Sequence, residues 1–201
     1  MSIYNRFYVE LDIRDKIYGT LRGDREIFEE FEKRTNQFHC DDIGIYIGEY
    51  QIKAMIAQCA SLLEVTPEYE STQTLKEGSF IEGINADGKF TRDKVYLLPL
   101  RKSGDGKNNV IEHVTGLQGS RSIISNSQFC SQPKLRFQLN ILVNLMRNDG
   151  RGEILNFEDL EFIFEHGQEV GLGTHRDRDA GKFDVVKFCV WDDYQDSVAT
   201  G

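Results

Sequence analysis

A run of apolar residues at helical spacing places the strongest constraint on the fold. The run is Ile52, Met55, Ile56, Cys59, Ala60 and Leu63. Intervals of three and four residues match one face of an α-helix, so the stretch predicts an amphipathic helix that covers a core. A second helix is predicted after Asn156, which is a suitable N-cap, because Leu160, Ile163, Phe164 and Gly167 share one face.

Other segments show the alternation of a half-buried strand. They run from Phe7 to Ile13 and from Leu135 to Ile141, and KFDVVKFCVW forms a closing strand after the second helix. KVYLLPL, residues 94–100, is predicted to be a buried strand that ends near Pro99. Because helices and strands do not alternate regularly, we expect an α+β fold with helices packed on a mainly antiparallel sheet. The ferredoxin-like arrangement is one candidate.

The remaining organisation is less regular. Asp24 is predicted to cap a short helix, since Ile27, Phe28 and Phe31 have helical spacing. We expect one domain over residues 1–190 and a frayed acidic tail over residues 191–201.

The charge is negative overall but unevenly distributed. The net charge is -9, whereas residues 101–151 hold eight Lys or Arg against three Asp or Glu. A strongly acidic surface repels phosphate, so a general nucleic-acid coat is excluded, and the basic segment indicates either one local anion-binding face or a few solvated loops.

No stretch is apolar enough to span a membrane, and the four cysteines form no CxxC pair, so we expect a soluble, cytoplasmic protein with reduced thiols.

Residues 170–183, VGLGTHRDRDAGKF, follow the second predicted helix and precede the closing strand. A phosphate-binding glycine motif must instead open a helix, so binding through a helix N-terminus is excluded here. Either the side chains of the stretch reach phosphates, or Gly171 or Gly173 caps the helix and a sharp turn follows.

Residues 116–129, GLQGSRSIISNSQF, place an arginine among glycines, serines and asparagine, which commonly bind phosphate oxygens. The alternative is a polar surface loop. Together the two stretches and the nearby basic pair predict a shared site for nucleic acid or a nucleotide. Its residues are Arg101, Lys102, Gly119, Arg121, Ser122, Gly171, Gly173, His175, Arg176, Arg178, Gly181 and Lys182.

Three segments carry a resemblance to known proteins. They are NQFHCDDIGIYIGEYQIKAMI, HVTGLQGSRSIISNS and EHGQEVGLGTHRDRDAGKFDVVKF. Together they resemble an uncharacterised family of bacteriophage and prophage proteins over about residues 4–190. The last segment is also similar to the glycine-rich loop of the repeat-associated RNA-binding proteins of CRISPR effector complexes. That similarity rests on Gly171, Gly173, Arg176, Gly181 and Phe183, and it implies a ferredoxin-like fold that binds RNA backbone.

No pattern in the sequence demands catalysis. His39-Cys40-Asp41-Asp42 offers metal-ligand types, but neighbours in an extended segment point to opposite faces, which favours a turn over a metal site. We therefore expect no catalytic residue, no metal and no cofactor. The leading hypothesis is a non-enzymatic phage protein that binds RNA or single-stranded DNA. The alternatives are an oligomeric assembly protein and a protein that sequesters a host signalling nucleotide.

Overall fold

A computed structural model of the chain describes residues 3–27, 31–62, 77–100, 112–118, 121–143, 155, 157–173 and 179–199. The elements up to residue 96 are β1 (Tyr4–Ile13), β2 (Lys16–Tyr18), β3 (Leu21–Ile27), β4 (Phe31–Gln37), β5 (His39–Cys40), β6 (Ile45–Gly48), α1 (Glu49–Ala60), β7 (Ser79–Ile84), β8 (Phe90–Arg92) and β9 (Lys94–Tyr96). The later elements are β10 (Glu112–Gln118), β11 (Arg121–Ser127), β12 (Phe129–Ser131), β13 (Lys134–Leu142), α2 (Phe157–Val170), β14 (Phe183–Val190) and α3 (Trp191–Ala199). The fold is therefore α+β and mainly antiparallel, as the sequence predicts.

The largest sheet has the strand order β14-β1-β13-β7-β8, and each neighbouring pair in it is antiparallel. β1 and β13 pair along nearly their whole length, from Tyr4 opposite Leu142 to Asp12 opposite Lys134. The alternation of apolar and polar residues predicted from the sequence is present in β1, where the inward residues Val9 and Leu11 have no exposed surface. The strands predicted at β1, β13 and β14 are confirmed.

Helices α1 and α2 cover one face of this sheet, which confirms both predicted helices. Their apolar stripes join the inward side chains of β1 and β13 in one core, where the Phe137 and Phe164 rings lie 6.4 Å apart. A Cβ added at Gly167 would lie 2.5 Å from Met55 Sδ, so a glycine lets the two helices approach closely. Each fully buried side chain of this kind stabilises the fold by about 1.5 to 3 kcal/mol. We call the largest sheet with these two helices the body.

The other face of the sheet carries α3, where the sequence predicts a frayed tail. The Tyr194 ring of α3 stacks on Tyr8 of β1 at a centroid distance of 3.8 Å, and Trp191 is only 7% exposed. The prediction of an unstructured tail is wrong over Trp191–Ala199, which form a helix. The prediction followed the acidic composition of the segment, but burial of the Trp191 and Tyr194 rings stabilises the helix against the sheet.

Two hairpins form a four-stranded sheet with the order β10-β11-β4-β3, which we call the second sheet. β3 pairs with β4 and β10 with β11, both antiparallel, and β11 pairs with β4 in parallel. The short helix predicted after Asp24 is therefore wrong, and residues 116–129 are mostly strand rather than loop. One turn of apolar spacing does not nucleate a helix by itself, whereas β3 and β4 offer each other strand partners.

Two small sheets complete the described fold, with the orders β5-β6-β9 and β12-β2. The strand predicted over residues 94–100 ends at Tyr96, beyond which Leu98 forms a single bridge with Lys134 before a cis Leu98-Pro99 bond. Within the described ranges, no helix is long and apolar enough to cross a membrane.

Candidate nucleic-acid interface

Residues 171–183, which we call the glycine loop, begin as the C-cap of α2. Gly171 has φ +74°, and its N–H donates to the Gly167 carbonyl at 2.8 Å. A left-handed residue directly after the last helical residue closes the helix, and glycine adopts that conformation without a steric penalty. The capping role predicted for Gly171 is confirmed.

Two other glycines let separate chain segments of the loop touch. The Leu172 N–H donates to the Gly181 carbonyl at 2.9 Å, and a Cβ added at Gly181 would lie 1.8 Å from the Leu172 carbonyl oxygen. A Cβ added at Gly173 would lie 2.8 Å from the Tyr18 carbonyl oxygen. Contacts within the chain therefore account for these glycines, and their contact with a ligand stays a prediction.

An ion-pair network holds the base of the loop. The Lys182 ammonium lies 2.8 Å from Glu169 and 2.9 Å from Asp179, and Arg14 lies 2.6 Å from Glu169 and 2.8 Å from Asp184. Hydrogen bonds from Lys182 and then Arg14 lower the pKa of Glu169 to about 2. The network is exposed, so salt screens it. Two carboxylates already balance the charge of Lys182, one of the predicted ligand-binding residues.

Strand β2 joins the glycine loop to the end of the 116–129 stretch. On one side, the Gly181 N–H donates to the Lys16 carbonyl at 2.7 Å. On the other side, β2 pairs with β12, so that Tyr18 stands opposite Phe129 with ring centroids 5.8 Å apart. Ala180 of the loop packs with these two rings in a small buried cluster. We call β2 together with Phe129, Ala180 and Gly181 the junction.

The predicted site residues fall in three groups. Gly181 belongs to the junction, and Gly171, Gly173 and Lys182 lie beside it. Arg121 and Ser122 begin β11, six and five residues before its end at Ser127, and the strand runs from them toward the junction. The remaining predicted residues lie outside the described residues, and they are Arg101, Lys102, Gly119, His175, Arg176 and Arg178.

Sequence reasoning missed basic positions in the second sheet and at the junction. Arg25 of β3 stands directly opposite Arg34 of β4, and Arg34 stands opposite Ser125 of β11. At the junction, the Lys16 ammonium lies 4.6 Å from the centroid of the Phe129 ring. The mistaken helix at Asp24 hid the arginine pair. The available signal against that helix was its length, because three apolar residues over about one turn do not nucleate a helix.

Within the His39-Cys40-Asp41-Asp42 stretch, His39 and Cys40 form β5, and the turn that the sequence favours follows at Asp41. Asp41 accepts hydrogen bonds from the Ile43 and Gly44 N–H groups and from the side chains of Lys94 at 2.6 Å and Tyr96 at 2.7 Å. Burial opposes ionisation of Asp41, but these bonds outweigh it and lower its pKa to about 2. No three His, Cys, Asp or Glu side chains gather as metal ligands in the part of the chain that the structure describes.

Comparisons with known proteins identify no family. No protein-family model matches the chain, and no curated protein matches it. A chain of the solved structure "Type IV-B CRISPR Complex" is similar with a TM-score of 0.42 and 12% identity, over 92% of this chain and 90% of that chain. A likeness of this degree carries no conclusion about function. The resemblance to bacteriophage proteins stays a prediction.

Proposed function

We propose that this chain is a non-enzymatic protein that binds the backbone of RNA or single-stranded DNA across the second sheet and the glycine loop. The observation that carries the proposal is the junction. Through it, one three-residue strand, Lys16–Tyr18, contacts both stretches that the sequence singles out for phosphate binding. Residues more than 40 positions apart in sequence, such as Phe129 and Ala180, thereby pack in one cluster.

The length of the surface favours a polymer over a single nucleotide. Arg121 lies at the far end of β11 from the junction, and six residues of strand span about 20 Å. Phosphates follow one another at about 3.4 Å per nucleotide along a strand in a double helix, so about six nucleotides cover this distance. A ligand that contacts both Arg121 and the glycine loop is therefore a nucleic-acid strand of several nucleotides.

The charge of the second sheet also supports an anionic partner. Its four strands hold five basic and four acidic residues, whereas the whole chain holds 24 and 33. Arg25 of β3 and Arg34 of β4 occupy paired backbone positions, so two basic residues stand on neighbouring strands of this sheet. A region that avoids the acidic excess of the chain is suited to a nucleic-acid backbone.

We also infer that the body is ferredoxin-like. The strand order β14-β1-β13-β7 and the chain order β1, α1, β7, β13, α2, β14 support this arrangement, with β8 added at one edge. A phage origin, a cytoplasmic location and a single domain over residues 1–190 belong to the same proposal.

Fluorescence anisotropy with labelled single-stranded RNA and DNA tests the binding proposal. The probes are about 16 nucleotides long, the upper end of a single-strand site. We expect Arg121→Ala with Arg176→Ala to weaken binding about tenfold or more at low salt, and to flatten the salt dependence, because two phosphate contacts disappear. The matched control is Lys89→Ala with Arg92→Ala, which removes the same charge from an exposed turn and strand of the body.

Equal affinity of the wild type and the Arg121/Arg176 variant would exclude the proposed surface. Equal losses of affinity in the test and control variants would mean that only net charge matters.

Light scattering of the protein alone tests the assembly alternative, for which we expect a defined oligomer that binds neither probe. A small nucleotide released on denaturation would instead favour sequestration of a signalling nucleotide.

A further inference from the structure

A groove of about 450 Å³ opens where β1 begins and β14 ends. Strand β14 accompanies β1 only as far as Phe7 opposite Val190, after which the chain turns into α3. The first residues of β1 therefore have no β14 residue paired beside them, and the start of α2 closes the far wall. The lining residues are Tyr4, Asn5, Arg6, Phe7, Phe157, Val190, Trp191 and Asp192.

The walls of this groove are largely aromatic. Tyr4, Phe7, Phe157 and Trp191 contribute rings, and the Phe7 and Phe157 ring centroids lie 6.1 Å apart. Trp191 is held in place from behind by Tyr8, with ring centroids 6.3 Å apart. Phe7 and Trp191 are only 3% and 7% exposed and form the floor of the groove, so the rings on which a planar aromatic group can stack are the half-buried Tyr4 and Phe157. The volume of the groove lies within the range of about 300 to 1,000 Å³ that small-molecule sites occupy.

The polar groups of the groove are few and differ in charge. Arg6 is exposed and makes no ion pair with any residue in the described ranges, so its guanidinium is available to a ligand anion. Asp192 also lines the groove and opposes a second anion there. A guanidinium binds phosphate oxygens, whereas a carboxylate accepts hydrogen bonds from the hydroxyls of a ribose.

We propose that the groove binds a single ribonucleotide, with its base on the aromatic wall, its phosphate at Arg6 and its ribose hydroxyls at Asp192. The site is separate from the surface of the proposed function. The ten residues of β1 span about 30 Å, and the groove lies at Tyr4 whereas the junction follows the other end at Ile13. The protein would thus bind a single nucleotide near one end of β1 and a nucleic-acid strand near the other end.

Fluorescence of Trp191, the single tryptophan of the chain, reports on this groove directly. The full chain is titrated with adenosine monophosphate, deoxyadenosine monophosphate, adenosine and inorganic phosphate. Free tryptophan is titrated in the same way to correct for the exciting light that the nucleotides absorb. We expect a saturable change that is strongest with adenosine monophosphate. Arg6→Gln should weaken binding of the monophosphate about tenfold, the loss of one charged hydrogen bond, and leave adenosine binding unchanged.

Two matched variants make the test specific. Arg92→Gln removes an exposed arginine elsewhere and should bind as the wild type, and Asp192→Asn should reduce the preference for the ribonucleotide over the deoxyribonucleotide. The proposal is overturned by the absence of any saturable change, by equal binding of inorganic phosphate, or by an Arg6→Gln variant that binds the monophosphate normally. Arg6→Gln should still bind the long probes, and the Arg121/Arg176 variant should still bind the monophosphate, so the two proposals fail separately.

Discussion

The body and the second sheet are built from strands of opposite character. In the body, the inward positions of β1 and β13 are apolar and fully buried, as Val9, Leu11, Phe137 and Leu139 show. In the second sheet, β3 and β4 read LRGDREI and FEKRTNQ, without a sustained apolar alternation. Their pairing depends on backbone hydrogen bonds, which almost any sequence makes. Burial of apolar side chains therefore determines the structure of the body. Backbone pairing determines the structure of the second sheet, so its side chains can be selected for a function instead.

Gln128, between β11 and β12, links the second sheet to the chain that follows β2. The Gln128 carbonyl accepts a hydrogen bond from the Gly19 N–H at 3.0 Å, and its N–H donates to the Asn36 carbonyl at 2.9 Å. Its side-chain oxygen accepts a third bond from the Phe38 N–H at 3.2 Å. Gln128 thus contacts the chain where it leaves β2 and where it returns from β4. These three polar contacts of Gln128 help to set the position of the second sheet relative to β2.

The largest effect is expected inside the glycine loop, where its two ends meet at Leu172 and Gly181. Gly181→Ala would place a Cβ 1.8 Å from the Leu172 carbonyl oxygen at φ +73°, so we expect a loss of about 4 kcal/mol in the free energy of unfolding. Gly88→Ala is the matched control, because Gly88 has φ +76° with open space around it, and it should lose only about 1 to 2 kcal/mol. Urea unfolding measures both.

Similar losses in the two glycine variants would show that the contact between Leu172 and Gly181 is unimportant. A Gly181→Ala variant that is destabilised as expected, yet binds the nucleic-acid probes with wild-type affinity, would remove the glycine loop from the proposed surface.

A smaller effect is expected at Asp41, where hydrogen bonds to a carboxylate join the turn after β5 to strand β9. The pKa of Asp41 in the folded chain, about 2, lies below its ordinary value of 3.8. The stabilisation is therefore present above about pH 4 and is lost as the pH falls toward 2. Asp41→Asn should cost about 2 kcal/mol at neutral pH and much less in acid. Urea unfolding at several pH values measures the difference from the wild type.

Asp42→Asn is the control for this prediction, because Asp42 is exposed and adjacent. Its free energy of unfolding should follow the wild type throughout. A difference between Asp41→Asn and the wild type that does not shrink in acid would contradict the assigned hydrogen bonds from Lys94 and Tyr96.

The smallest effect is expected in the second sheet. Arg25→Gln removes one of two basic residues at paired positions of β3 and β4, and we expect the free energy of unfolding to stay within about 0.5 kcal/mol of the wild type. The same change should weaken binding of the long probes about threefold, because one phosphate contact is lost. Arg92→Gln, at a side chain that is 88% exposed, should change neither quantity. Lower stability with unchanged affinity would mean that the arginine pair serves the fold.

The elements that the sequence predicts correctly are those whose signal is local. The stripe from Ile52 to Ala60 and the alternation from Phe7 to Ile13 each report the environment of one segment, and both are realised. The short helix after Asp24 fails because three apolar residues in one turn carry little information against pairing partners elsewhere. At the candidate site, the capping glycine follows from the helix that precedes it, whereas the ion pairs of Lys182 with Glu169 and Asp179 required the folded chain.

By itself, the sequence determined the α+β class, the two helices of the body and its main strands, because the periodicity of apolar residues is set by the geometry of each element. The tertiary structure alone decided the second sheet, the packing of α3 on Tyr8 and the meeting of two distant stretches at β2. Asn36 and Ser127, which are hydrogen-bonded in the second sheet, lie 91 residues apart. The choice between such partners depends on the loop closures and contacts of the whole chain, which no local pattern encodes.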